Sequence, residues 1–167
     1  APLEVEFQMC RKGGQWVGKN GKTYGEGMFL HYRRAMQLMW PEVVWHKWNN
    51  LIVEKYVDPK VRTMALLGPA SSGKTHTSAL CGLTDYFIRP ESTMLLVCST
   101  TKELLEQRVW GEIKSLHKSA KRRYSWLPGH LIEGRLRIVT DSREDVDEGR
   151  DMRSGCLGIP CKKGTDY

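Results

Sequence analysis

One stretch limits the folds open to this chain more than any other: Gly68-Pro69-Ala70-Ser71-Ser72-Gly73-Lys74-Thr75. It matches the P-loop pattern G-x-x-x-x-G-K-[ST] at every fixed position. A polyphosphate needs several N–H donors aimed at one point, and only a tightly curled backbone supplies them. Gly68 and Gly73 permit the required dihedrals and a close approach. Lys74 brings a point charge to the β- and γ-phosphates, and the Thr75 hydroxyl suits Mg²⁺. The N-terminus of a following helix adds partial positive charge. ATP with Mg²⁺ is therefore the expected ligand of residues 68–75, with Lys74 and Thr75 as the catalytic pair and Thr75 as the metal ligand.

The flanks agree with that pattern. Val61-Arg62-Thr63-Met64-Ala65-Leu66-Leu67 reads as a short strand feeding the loop. Residues 74–87 read as a helix with Ala79, Leu80 and Leu83 apolar, closed before Arg89-Pro90. Strand, Gly-rich loop and helix is the order a P-loop requires. Thr93-Met94-Leu95-Leu96-Val97-Cys98-Ser99 is a nearly uniform apolar run, as for a strand buried on both faces. Two such strands joined by a helix make a parallel βαβ unit. The expected class is α/β: a RecA-like (ASCE) P-loop NTPase with a parallel sheet flanked by helices.

Ser99, Thr100 and Thr101 stand at the carboxyl end of that run, where α/β proteins place functional loops. Thr100 or Thr101 caps a long helix with Glu103 and Glu106 in its first turns. Leu104, Leu105, Val109, Trp110, Ile113 and Leu116 mark its buried face. Its other face is basic and runs into Lys121-Arg122-Arg123. Those cations serve either to grip a phosphate backbone or as the solvated face of a surface helix. Arg108, Lys118, Lys121, Arg122 and Arg123 are the nucleic-acid candidates.

The amino-terminal part reads as an appendage, residues 1–40, ahead of the P-loop domain, residues 41–167. Leu3, Val5, Phe7 and Met9 alternate as in a strand. Asn20-Gly21 predicts a hairpin, since a type I′ turn needs positive φ twice. Residues 28–39 read as a helix. Pro41 suits the first turn of the next one, whose Val44, Trp48, Leu51 and Ile52 would face the core. Trp45 or Trp48 could stack an adenine, although an aromatic at helical spacing serves equally as core.

Further on, residues 130–132 and 135–139 flank Glu133-Gly134 as a hairpin, and Leu157-Gly158-Ile159 suggests a last short strand. Leu136 to Asp141 is a poor match to a Walker B strand, because Arg137 interrupts it and Ser142 stands where the catalytic acid belongs. Arg143, Arg150 and Arg153 include candidates for an arginine finger, which spacing alone does not select.

The chain of 167 residues carries a net charge of +7, which favours polyanionic partners. Five cysteines without C-x-x-C spacing read as reduced thiols, with Cys81 and Cys98 in core elements. No apolar run is long enough to span a membrane, and a cytoplasmic setting is expected. The first residue is not Met and no clear Walker B acids follow the P-loop, so the chain reads as a fragment with weak hydrolysis of its own.

Residues 68–75, the strand 94–98, Ser99-Thr100-Thr101-Lys102-Glu103-Leu104-Leu105, the long helix and Leu127-Pro128-Gly129 together resemble the ATPase half of the large terminase subunit of tailed bacteriophages. The resemblance covers roughly residues 40–155, and only its P-loop is specific. It implies an ATP-driven motor that moves double-stranded DNA into a procapsid. It also implies a portal, a small terminase subunit and a ring of identical chains as partners, in the host-cell cytoplasm. Ser99, Thr100 and Thr101 would then couple hydrolysis to DNA. Members of that family often carry an arginine near the P-loop; here Ala70, Ser71 and Ser72 fill the space, and Arg62 is the nearest. Superfamily 1 or 2 helicases share the order, with Leu104-Leu105-Glu106-Gln107 in place. A nucleotide-binding module without motor activity and a small-molecule kinase are the remaining readings.

Overall fold

A computed structural model of the protein describes residues 2–140 and 153–161. The chain is mixed α and β, and its contacts divide it into two units, Ala1–Thr84 and Asp85–Tyr167. That division lies within a helix and not at residue 40.

The first unit is helical apart from one small ribbon. α1 spans Pro2–Arg11, where an alternating strand was expected. Leu3, Phe7 and Cys10 are buried while Val5 is 55% exposed. Spacing of i, i+4 and i+7 is a helical stripe, and Cys10 breaks the tie that Leu3 and Phe7 leave between the two periods. β1 (Trp16–Val17) and β2 (Thr23–Tyr24) form the antiparallel hairpin predicted around Asn20-Gly21. α2 (Met28–Met39) packs on α1 and on α3 (Lys47–Val57). Its Tyr32, Ala35, Met36 and Met39 are fully buried. Each large apolar side chain taken out of water contributes roughly 1.5–3 kcal/mol. Glu26 N–H donates to His31 Nε2 at 3.2 Å, which leaves Nδ1 to donate to Glu6 Oε2 at 2.6 Å and ties α2 to α1.

α3 corrects a second expectation. Pro41 lies in a turn, and the helix starts six positions later, behind a capping box built by His46 and Asn49. The later start changes which residues face inward. Asn49 and Val53 are buried, whereas Val44 is 72% and Leu51 53% exposed.

Residues 61–67 carry no regular secondary structure, and they belong to neither sheet. The strand expected there is not formed. Among the described residues of the first unit the only sheet is the two-residue-per-strand hairpin, the run pairs with no strand, and Leu67 is 96% exposed. α4 (Lys74–Ile88) does follow the Gly-rich loop as expected. Its Tyr86 and Phe87 belong to the second unit.

The second unit holds a four-stranded mixed sheet of order β3-β6-β5-β4. β3 is Met94–Ser99, β4 His130–Ile132, β5 Arg137–Val139 and β6 Gly155–Pro160. β3 pairs in parallel with β6, Leu96 opposite Leu157, and the other pairs are antiparallel. The parallel partner of β3 is thus the short carboxyl-terminal strand and not residues 61–67. Among the described residues β3 pairs with β6 alone, and Leu96 is 56% exposed, so one face of the strand is open and the expected double-sided burial is replaced by alternation. Cys98, expected in the core, is exposed for the same reason, while Cys81 is buried.

Between β3 and β4 the chain forms a helix in three stretches: α5 (Lys102–Leu104), a π-helical turn (Leu105–Trp110) and α6 (Gly111–Arg123). The wider turn shifts the phase of the stripe. Leu105, Trp110, Ile113 and Leu116 are buried, while Leu104 and Val109 are only half-buried. Close packing explains two glycines here. A Cβ on Gly129, at φ +100°, would come within 2.8 Å of both His117 and Ile138. One on Gly158 would come within 2.9 Å of Leu136.

The candidate phosphate loop

The loop between residue 67 and α4 is shaped by two left-handed residues, Ser71 at φ 60° and Gly73 at φ 74°. Left-handed conformations at alternate positions turn successive backbone N–H groups toward one side, a concavity that suits an anion. Serine tolerates that region at a modest cost because it is neither β-branched nor bulky. α4 begins at Lys74, so the amides of its first turn lack partners within the helix and carry its partial positive charge.

The Lys74 ammonium is folded back into the loop. It donates to Gly68 O at 2.9 Å, Pro69 O at 2.6 Å and Ser72 Oγ at 2.9 Å. Those acceptors match the three protons of an ammonium. The loop therefore holds a cation in its own curl, where an incoming anion would compete with neutral oxygens for a charge. Thr75 is exposed at the helix start. Pro69 and Ala70 are exposed as well.

A buried polar chain fixes the loop to its neighbour. Asn49 Nδ2 donates to Thr77 Oγ1 at 2.8 Å, and Thr77 Oγ1 donates to Gly73 O at 3.0 Å. Asn49 Oδ1 also accepts from His46 N–H at 3.0 Å. One amide side chain thus caps α3 and steadies the loop's last peptide. Nothing in the spacing of the sequence marked Asn49 for this role; its burial does.

Trp48 stands against the loop. A Cβ built on Gly73 would lie 3.3 Å from Cη2 of Trp48 and 3.6 Å from Cζ2. Two hollows share this indole. One, of about 560 Å³, has Glu42, His46, Asn49, Ser71, Ser72 and His76 on its walls. The other, of about 380 Å³, holds Lys74, Gly68 and Pro69 beneath Leu51, Ile52 and Leu66. The His46 ring lies nearly parallel to Trp48, 7° apart with centroids at 6.5 Å. Trp45 is engaged differently: the Arg33 guanidinium lies 3.5 Å over its ring. Burial lowers the pKa of Arg33, which also donates to Asn50 Oδ1 at 2.8 Å.

No protein-family model, curated protein or solved structure matches the chain.

The other predicted residues lie in the second unit. Ser99 ends β3 and its carbonyl accepts from Cys161 N–H at 2.7 Å. Thr101, not Thr100, is the helix cap, and its hydroxyl accepts from Leu104 N–H at 3.2 Å. Arg108, Lys118, Arg122 and Arg123 are exposed along the three-part helix. Lys118 donates to Glu133 Oε1 at 2.8 Å and Lys121 to Gly129 O at 2.7 Å. Lys118 holds the Glu133 carboxyl below the usual range, and burial lowers the pKa of Lys121. His117 beside them is buried, and desolvation together with Lys121 pushes its pKa down to about 4. Arg153 is exposed, whereas Asp141, Ser142, Arg143 and Arg150 lie outside the described residues. Among the described residues no group of three or more His, Cys, Asp or Glu could hold a metal ion. No helix among them is long and apolar enough to cross a membrane.

Proposed function

We propose that residues 68–75 bind the polyphosphate of ATP with Mg²⁺, and that the chain is the ATPase part of a DNA-packaging motor of the terminase type. The observation that carries the nucleotide half is the curl of the loop. Ser71 and Gly73 are left-handed and the Lys74 ammonium lies inside, at the head of a helix. The backbone amides of the loop and of the first turn of α4 would take the phosphate oxygens. Lys74 would exchange carbonyl oxygens for charged ones, a stronger pairing. Thr75 would hold the Mg²⁺, which supplies charge neutralisation when bound. Trp48 offers the base an aromatic wall beside the loop.

The motor half rests on the resemblance. In it, Ser99, Thr100 and Thr101 couple hydrolysis to movement of double-stranded DNA, and Arg108, Lys118, Lys121, Arg122 and Arg123 contact the DNA. The portal, the small terminase subunit, a ring of identical chains and the host-cell cytoplasm belong to the same proposal. A second reading, a nucleotide-binding module without motor activity, is favoured by residues 61–67 standing outside both sheets. Titration with Mg-ATP, followed by a hydrolysis assay with and without duplex DNA, tests the proposal. Binding with DNA-stimulated hydrolysis supports the motor, binding without hydrolysis supports the module, and no binding overturns both.

A further inference from the structure

The hairpin β1–β2 has no part in the nucleotide site or in the core. Every residue of 15–26 is exposed except the half-buried Gly18. Yet the ribbon is held stiffly. Trp16 and Tyr24 stack across it with centroids 5.4 Å apart at 24°. Asn20 Nδ2 donates to Tyr24 OH at 2.8 Å, and Lys22 N–H donates to Asn20 Oδ1 at 3.1 Å. Gly18 N–H donates to Lys22 O at 2.8 Å. The neck is a crossing of glycines: a Cβ on Gly25 would lie 2.4 Å from Gly14 O, and one on Gly14 would lie 2.2 Å from Met28 N. Backbones pass there at a distance that only glycine allows.

The charge of this rigid ribbon is basic up to its base, where Glu26 pairs with Arg34. Residues 11–25 contain Arg11, Lys12, Lys19 and Lys22 and no acidic residue. Arg11 pairs with Glu4 at 3.2 Å. Lys12 lies over the Trp16 ring at 5.3 Å, and Lys19 and Lys22 flank the exposed tip.

We propose that the β1–β2 hairpin is a DNA-binding ribbon that sets Lys12, Lys19 and Lys22 on the phosphate backbone of a B-form duplex. Charge complementarity selects a polyanion. Ring geometry selects against single strands, which bind by stacking bases on open aromatic faces; here Trp16 and Tyr24 face each other, and Lys12 lies over Trp16. A two-stranded ribbon fits the major groove of B-DNA, whereas the deep, narrow groove of an RNA duplex excludes it. The inference shares its partner with the motor reading but needs no nucleotide.

The test is fluorescence anisotropy of the full chain with a labelled DNA duplex, without ATP, over a range of salt concentrations. Lys19→Ala/Lys22→Ala is expected to weaken binding by on the order of tenfold at low salt. It is also expected to make the slope of log K against log salt shallower by about 2. Affinity for Mg-ATP is expected to stay unchanged in this variant, which separates failure of the ribbon from failure of the nucleotide site. Both lysines are exposed, and equal circular dichroism of the two proteins shows that the fold is kept. An unchanged duplex affinity and salt slope overturns the inference. Equal affinity of the unaltered chain for duplex RNA or for single-stranded DNA overturns it too.

Discussion

Trp48 and Gly73 meet so closely that a side chain on the loop would press on the indole edge: a Cβ on Gly73 would lie 3.3 Å from Cη2, tight enough that the ring must give by a few tenths of an ångström. The φ of 74° at Gly73 adds a conformational demand at the same atom. An L-residue pays about 1–2 kcal/mol for the left-handed region. Gly73→Ala is therefore expected to lower stability by roughly 1–2 kcal/mol and to weaken Mg-ATP binding at least about tenfold. Urea unfolding and a nucleotide titration check the two effects.

The base is expected to rest on Trp48. Trp48→Ala should weaken ATP binding by roughly tenfold, the scale of one buried stacking contact, and leave the affinity for inorganic triphosphate almost unchanged. Competition between the two ligands measures this split. Equal losses for both would make Trp48 a support of the loop and not a wall for the base.

Asn49 holds two partners at once, the Thr77 hydroxyl and the His46 amide. Asn49→Ala removes both bonds, leaves the His46 N–H unpaired and leaves the Thr77 hydroxyl with Gly73 O alone, and is expected to cost about 1–3 kcal/mol in urea unfolding. Asn49→Asp keeps the acceptor for His46 N–H but turns an acceptor oxygen on Thr77 Oγ1. At neutral pH it is expected to be the worse of the two for nucleotide affinity.

His117 predicts a pH dependence in the second unit. Its surroundings carry Lys118, Lys121 and His130, and desolvation with Lys121 leads the shift to about 4. The unfolded chain, with an ordinary histidine near 6.5, binds the proton first as pH falls. Stability is therefore expected to decline between pH 6.5 and 4, by on the order of 3 kcal/mol in full. His117→Leu should remove most of that slope. Unfolding followed by circular dichroism at stepped pH measures it.

The cysteines divide by burial. Cys98 and Cys161 are exposed, while Cys10, Cys81 and Cys156 are buried. Desolvation pushes the Cys156 thiol up to about 12, which keeps it unreactive. An aromatic disulfide reagent is expected to label Cys98 and Cys161 in the native protein and the others only after unfolding. Peptide mapping identifies the sites.

Signals written in consecutive residues were legible. Asn20-Gly21 marks its hairpin, Glu133-Gly134 another, the Thr100-Thr101 pair the start of its helix, and the Gly-rich loop the start of α4. What escaped depended on partners distant in sequence. Residues 61–67 have strand character, but a strand exists only with a ladder beside it, and this run pairs with no described strand. Leu3 and Phe7 satisfy both a period of two and one of 3.6, so α1 needed Cys10 to decide it. The phase of α3 turned on where His46 and Asn49 capped it, and a small change of start redirected Trp48 from the core to the loop. The π-helical turn at Leu105–Trp110 has no local signature at all. Of the site, the loop residues could be read directly; Asn49 and Thr77 could not, because their tie joins two helices.

The central claim is that the Lys74 ammonium, now held by Gly68 O, Pro69 O and Ser72 Oγ, awaits a polyphosphate. Calorimetric titration of the chain and of Lys74→Ala with Mg-ATP tests it most directly. The account predicts one site per chain in the unaltered protein and an affinity lowered by about a hundredfold or more in the variant, the scale of losing a charge-assisted pairing. Equal heats and equal affinity in the two proteins, or no binding in either, would contradict it.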